Sequence, residues 1–177
     1  PNIFTGYLYF IYKIVHAIKL AETLTEEIAG CNFVPVYYMG SEDADLEELG
    51  HIFLGGRKYE WKTKQQGAVG RMKVDKALLQ LVNEISGQLL VHPYGNEITG
   101  LMHNCYKEGA TIQQATFDFI NNLFATYGLL IVLPDNRLLK NEFASVIKKE
   151  LLEQFSHKAV EQSVKKISAK YKVQAAG

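Results

Sequence analysis

The 177-residue chain is short of cysteine and proline and carries no net charge, and each shortage closes off a class of function. Cys31 and Cys105 lie far apart and form no Cys-x-x-Cys pair, which fits two free thiols in a reducing cytoplasm rather than a disulfide scaffold. Lys plus Arg and Asp plus Glu both number 19, so the overall field is weak and gives no reason to expect nucleic acid or an anionic membrane as partner. No apolar run approaches the ~20 residues of a membrane span, because Lys13, His16 and Lys19 interrupt the most apolar helix; a soluble protein is expected. The sequence has no His-Glu-x-x-His, no Gly-x-Ser-x-Gly elbow and no metal-spaced Cys/His set. Its histidines, at 16, 51, 92, 103 and 157, do not pair at ligand spacing, so no metal ligand is assigned. Gly67 and Gly70 match neither a phosphate-binding loop nor a dinucleotide fingerprint.

What is present is an alternation of helical and strand patterns. Tyr7, Ile11, Ile14, Ile18, Ala21, Leu24 and Ile28 recur at spacings of three and four and predict a helix over 7–29, stopped by Gly30. Phe33 to Met39 and Leu129 to Leu133 are continuous apolar runs of strand length, as expected for parallel strands covered on both faces, although Pro35 cannot donate to a ladder. Between them, Gly55-Gly56 joins 51–54 to 57–62 as a two-residue hairpin, a β insertion rather than another βα unit. Asp75 caps a helix ended by Gly87, and a second helix spans 97–106. Thr111 with Gln114 forms a capping box for a third, running to Gly128. Residues 137–170 read as charged helix broken near Ser156. The fold class is α/β: a Rossmann-like partial parallel sheet with an inserted hairpin and long helices, organised as 1–54, 55–110 and 111–177. Neither end reads as a natural terminus, so a piece of a larger protein is expected.

Two stretches carry candidate chemistry. Asn2, Thr5 and Gly6 form a turn that opens the first helix, where free N–H groups and the helix dipole suit a carboxylate or phosphate. Lys13, which also reads as a snorkelling surface lysine, could reach the same anion. Ser41, Glu42, Asp43 and Asp45 follow the first strand, at the carboxyl end where open α/β sheets bind ligands. Asp45 and Glu48 also read as a simple capping box. Asp135 and Asn136 follow the second strand and are expected at the same rim, with His51 as a candidate acid or base.

The wording of the two stretches goes further. Pro-Asn-Ile-Phe-Thr-Gly-Tyr-Leu-Tyr-Phe-Ile-Tyr-Lys at 1–13 and Met-Gly-Ser-Glu-Asp-Ala-Asp-Leu-Glu-Glu-Leu at 39–49 resemble the bacillithiol biosynthesis cysteine-adding enzymes. Members of that family typically carry Gly-Gln-Gln-Pro or Gly-His-Gln-Pro before Phe-Thr-Gly, and Ser/Gly-Glu-Asp-x-Asp after the next strand. This chain departs at Ala44, where many relatives carry His, and begins after the Gly-x-Gln. The resemblance implies a nucleotidyltransferase-like Rossmann core with a helical coiled coil, and a cytoplasmic ligase joining the carboxyl group of L-cysteine to the amine of glucosaminyl malate. It further implies ATP or another nucleotide for activation, Asp43, Asp45 and His51 as catalytic groups, and a homodimer of the full-length protein. Asn2, Thr5, Gly6, Lys13, Ser41, Glu42, Asp135 and Asn136 would bind substrate or nucleotide. A fragment of this length is expected to be inactive alone. Two other readings fit the residues: a non-catalytic α/β interaction module, or a nucleotidyltransferase-like enzyme of another pathway.

Overall fold

The computed structural model describes residues 2–173. The chain divides into two compact units, Pro1–Asp135 and Asn136–Gly177. The first unit holds α1 (Leu8–Glu27), β1 (Val36–Tyr38), α2 (Leu46–Leu49), β2 (His51–Leu54), β3 (Arg57–Glu60), α3 (Lys76–Leu89), α4 (Gly95–Cys105), α5 (Ile112–Phe124) and β4 (Leu130–Val132). Three 3-10 turns, Ile3–Thr5, Val69–Arg71 and Ala125–Tyr127, complete the unit among the described residues.

β1 and β4 pair in parallel with Val36 opposite Leu130 and Tyr38 opposite Val132, the orientation that the two apolar runs predict. The strands are shorter than those runs. Pro35 contributes only its carbonyl, which accepts from Leu130 N at 3.0 Å, so the ladder begins at Val36. The expectation of burial on both faces is corrected: Val36, Tyr38 and Leu130 are more than half exposed, while Met39 and Leu129 are buried. Continuous apolar sequence thus marks strands that are covered on one side among the described residues. β2 and β3 form the expected antiparallel hairpin, and Gly55 and Gly56 both take positive φ, 56° and 79°, which a two-residue turn matched to strand twist requires.

The helices follow their local signals. Asp75 Oδ1 accepts from Leu78 N at 2.9 Å, and Thr111 Oγ1 from Gln114 N at 3.1 Å. The Gln114 side chain turns to Asp118 instead of back to the cap, so the box is half formed. α3 continues through Gly87 to Leu89, because a single glycine costs about 1 kcal/mol in a helix whose buried face (Leu78, Leu81, Val82, Ile85) offsets it several-fold.

α5 organises the interior. Its residues Ala115 and Phe119 pack into one core with Ile3, Phe4, Trp61, Val74, Leu78 and Tyr106. The neighbouring Ile120 and Phe124 enter a second core with Ile14 and Ile18 of α1 and with Met39 and Leu129 from the sheet. One helix therefore fixes the hairpin and helical layer on one side and the α1–sheet layer on the other.

The second unit is α6 (Arg137–Glu142), α7 (Ala144–Glu153) and α8 (Phe155–Ser168). The expected break lies at Gln154, in left-handed conformation with φ 50°, and a further interruption falls at Phe143. Leu138, Phe143, Leu151 and Leu152 of this unit are largely exposed. Among the described residues no helix is long and apolar enough to cross a membrane.

Candidate functional site

The chain enters α1 through three consecutive residues with positive φ: Phe4 at 51°, Thr5 at 72° and Gly6 at 69°. Only the third is a glycine, and there a Cβ would lie 2.6 Å from Asn2 Nδ2. Left-handed geometry at Phe4 and Thr5 costs of order 1–3 kcal/mol per residue and persists only where the surroundings enforce it. Those surroundings are visible. Ile3 and Phe4 are buried, and Phe4 N donates to the hydroxyl of buried Tyr106 at 2.9 Å. The Phe4 ring packs on the Tyr106 ring at 4.7 Å, and the Tyr106 hydroxyl also bonds to Thr116 Oγ1 at 3.3 Å.

This strained turn forms one wall of a cavity of about 260 Å³, lined by Asn2, Thr5, Tyr7, Tyr9 and Lys13 from the entry and first turns of α1. Tyr37 and Gly40 come from the carboxyl end of β1, and Thr116 and Ile120 from α5. Its chemistry is hydroxyl-rich with a cation. Lys13 is the one charged side chain among the described residues of the wall, and its Nζ lies 5.0 Å from the centre of the Tyr9 ring. The Tyr37 phenol is pushed up to about 12 by burial and, secondarily, by the charge of the neighbouring Tyr106. Burial likewise holds Tyr106 at about 12, against the hydrogen bonds it shares with Thr116 and receives from Phe4 N, which act in the opposite direction. Both phenols are neutral donors at physiological pH. A pocket with neutral hydroxyls, an amide and one ammonium suits a carboxylate or a single phosphate group.

Beyond Gly40, outside the lining of the cavity, the chain is held by the 3-10 turn Val69–Arg71. Val69 N donates to Asp43 O at 2.8 Å and Gly70 N to Ser41 O at 3.1 Å. Gly70 has no room for a side chain, since a Cβ would sit 2.3 Å from Ser41 O. Arg71 then grips Asp135, which follows β4, through two hydrogen bonds. One short turn thereby fixes the segments leaving the carboxyl ends of both parallel strands.

The family model described as "Bacillithiol biosynthesis BshC, N-terminal Rossmann-like domain" matches residues 1–176. The chain belongs to the BshC family. It is 39% identical to the "Putative cysteine ligase BshC" of Flavobacterium psychrophilum over 166 residues, 94% of this chain and 31% of the relative. Identity is 36% to the protein of the same name from Flavobacterium johnsoniae, covering 98% of this chain and 32% of that one. For Cytophaga hutchinsonii it is 37%, covering 85% and 27%. The chain thus spans about a third of the length of these curated relatives.

In this BshC-family domain, the cavity brings together Asn2, Thr5 and Lys13, with Gly6 buttressing Asn2 from behind. The acidic stretch is not in its lining. Glu42 accepts from the Tyr38 hydroxyl at 3.2 Å, Asp43 Oδ1 from Asp45 N at 3.1 Å, and Asp45 Oδ1 from Glu48 N at 3.1 Å. The last of these is the capping role that the Asp45–Glu48 spacing offers. Ser41 is fully buried beneath Gly70, and its Oγ has no partner among the described residues. Asp135 is engaged by Arg71, and Asn136 lies in the second unit, where its Oδ1 caps α6. No group of three or more His, Cys, Asp or Glu among the described residues is placed to hold a metal ion. His51 stands just outside the cavity, with Nε2 3.3 Å from the hydroxyl of Tyr7.

Sequence reasoning missed Tyr7, Tyr37, Thr116 and Arg71. The tyrosines read as apolar members of a helix face and a strand. For Arg71 the clue lay in the loop glycines, which no known fingerprint explained.

Proposed function

We propose that this domain forms part of the substrate site of a ligase that joins the carboxyl group of L-cysteine to the amine of glucosaminyl malate, within a longer protein. The observation that carries the reading is the cavity at the head of α1. Its wall offers Lys13, Asn2, Thr5 and the phenol of Tyr37 to an anionic group. Lys13 would neutralise a carboxylate, and the hydroxyls would orient it. Strain held at Phe4 and Thr5 by the Tyr106 anchor keeps the donors in place before the ligand arrives.

Forming an amide from a free carboxylate requires activation, so ATP or another nucleotide is proposed as co-substrate. A cavity of about 260 Å³ is smaller than typical drug-sized pockets of roughly 300–1,000 Å³, and fits one phosphate or an amino acid rather than a whole nucleotide. Most of the nucleotide would therefore be bound by parts of the parent protein beyond these residues. The exposed apolar positions of α6–α8 support assembly of the full-length protein as a homodimer.

Incubating the full-length protein with L-cysteine, glucosaminyl malate and each nucleoside triphosphate, with mass spectrometry of the products, tests the reading. Condensation with loss of water from the two substrates, dependent on one nucleotide, is expected. Nucleotide turnover with an acid other than cysteine, and none with cysteine, would assign the site to a different pathway.

A further inference from the structure

The cavity and His51 are linked through one side chain. Tyr7 lines the cavity, and its hydroxyl lies 3.3 Å from His51 Nε2. The other ring nitrogen, Nδ1, is 2.9 Å from the carbonyl oxygen of Glu47. A carbonyl can only accept, so Nδ1 carries the hydrogen; in the neutral ring Nε2 is then an acceptor, and the Tyr7 hydroxyl must donate to it. The helical turn α2 thus sets the tautomer of a histidine that opens β2, and that histidine orients a phenol at the cavity wall. Ring packing reinforces the arrangement: His51 meets Tyr7 edge-on at 6.2 Å and Phe53 edge-on at 5.5 Å, and Tyr7 stacks on Tyr9 at 5.8 Å. Tyr7 is the N-cap residue of α1 and makes no side-chain cap; its hydroxyl contacts the histidine.

We propose that Tyr7 and His51 form a proton relay serving a ligand amine in this cavity. The inference rests on the ligase reading. An amine is protonated in neutral solution and has no lone pair for attack on a carboxyl carbon until it loses that proton. The ammonium gives its proton to Tyr7 Oη as Tyr7 passes its own to His51 Nε2. A neutral amine and an imidazolium result, total charge is conserved, and the imidazolium later returns the proton to solvent. Tyr7 is the catalytic residue because it touches the ligand space; His51 acts through it. The charged group facing His51 from the paired strand is Glu60, directly opposite in the hairpin. Its carboxyl is held below the usual range by its hydrogen bond from Lys58, with smaller contributions from Lys62 and His51. From α2 the contact is the Glu47 carbonyl, and from the α1 entry it is Tyr7.

The test uses the full-length protein. In amide-forming turnover, Tyr7→Phe and His51→Ala should each lower kcat by on the order of 10²-fold with KM little changed, within the range of general acid–base contributions. The double variant should be no slower than the slower single one, since both remove one pathway. Added imidazole should restore rate to His51→Ala and not to Tyr7→Phe, a rescue that a merely structural histidine would not show. Independently of turnover, nitrogen NMR of the unliganded protein at mildly alkaline pH should show His51 protonated at Nδ1. The Nε2 resonance should move on Tyr7→Phe. Additive losses, unchanged kcat in Tyr7→Phe, or an Nε2-protonated ring would overturn the relay while leaving the ligase reading intact. A wild-type protein that forms no amide would overturn the reading beneath it.

Discussion

Arg71 holds Asp135 in a two-point grip, Nε to Oδ2 at 2.6 Å and Nη2 to Oδ1 at 2.7 Å, across 64 residues of sequence. The guanidinium stays charged, as its pKa is raised by the hydrogen bond and then by the charge of Asp135. The grip fastens the Val69–Arg71 turn to the exit of β4 while Val69 and Gly70 fasten it to the exit of β1. Arg71→Lys keeps the charge but loses the planar fork, and Arg71→Ala loses both. Hydrogen exchange of the parent protein should therefore quicken at the Val69 and Gly70 amides, more in the Ala variant than in the Lys variant. Unchanged protection in both would show that the turn is held by its backbone bonds alone.

Two glycines, one in this turn and one in α3, carry opposite expectations. Gly70→Ala places a Cβ against the Ser41 carbonyl and should destabilise by about 1–3 kcal/mol, the usual cost of overpacking. Gly87, inside α3, has nothing within 4 Å of where a Cβ would sit, and Gly87→Ala should stabilise by roughly 0.5–1 kcal/mol. Denaturation midpoints of the two variants should move in opposite directions.

Tyr106→Phe removes the acceptor for the buried Phe4 N–H while leaving the ring stack. A buried donor left without a partner costs about 1–3 kcal/mol. Because Phe4 and Thr5 hold left-handed geometry against that anchor, the variant should also weaken ligand binding at the cavity. A calorimetric titration that returned wild-type affinity would show that the turn is held by packing alone.

Asp75 supplies a pH dependence. Burial pushes its carboxyl up, but bonds from Leu78 N, Trp61 Nε1, Thr63 Oγ1 and Gln65 outweigh this, and it sits below the usual carboxylate range. The depressed value means that the unfolded chain binds the proton more readily. The stabilisation is therefore complete above the ordinary aspartate value of about 3.9 and is lost as pH falls through the lower folded value. Asp75→Asn should flatten this part of the acid limb in stability measured against pH. An unchanged limb would assign acid sensitivity to other carboxylates.

The helices, the hairpin and the parallel pairing were legible because each rests on local chemistry: Asp75 and Thr111 as caps, Gly55-Gly56 as a turn, and two apolar runs as strands. The exposed face of β1 was not legible, since Val36 and Tyr38 carry the same apolar pattern whether or not another layer covers them. At the site, Asn2, Thr5 and Lys13 could be read from a turn followed by a helix. The roles of the acids could not, because Asp43 and Asp45 satisfy backbone amides of their own loop and sequence does not distinguish a capping carboxylate from a ligand-binding one. Tyr106 escaped notice because its partner, Phe4, lies 102 positions away.

The head of α1 and the exit of β1 are proposed as the ligand site, and a crystal structure of the full-length protein with L-cysteine and a nucleotide bound tests this most directly. The expected result is a carboxylate or phosphate within hydrogen-bond reach of Lys13 Nζ and at least one of Asn2, Thr5 and Tyr37, with the Phe4–Thr5 turn unchanged. Both ligands bound elsewhere, with this cavity filled by another segment of the same polypeptide, would contradict it.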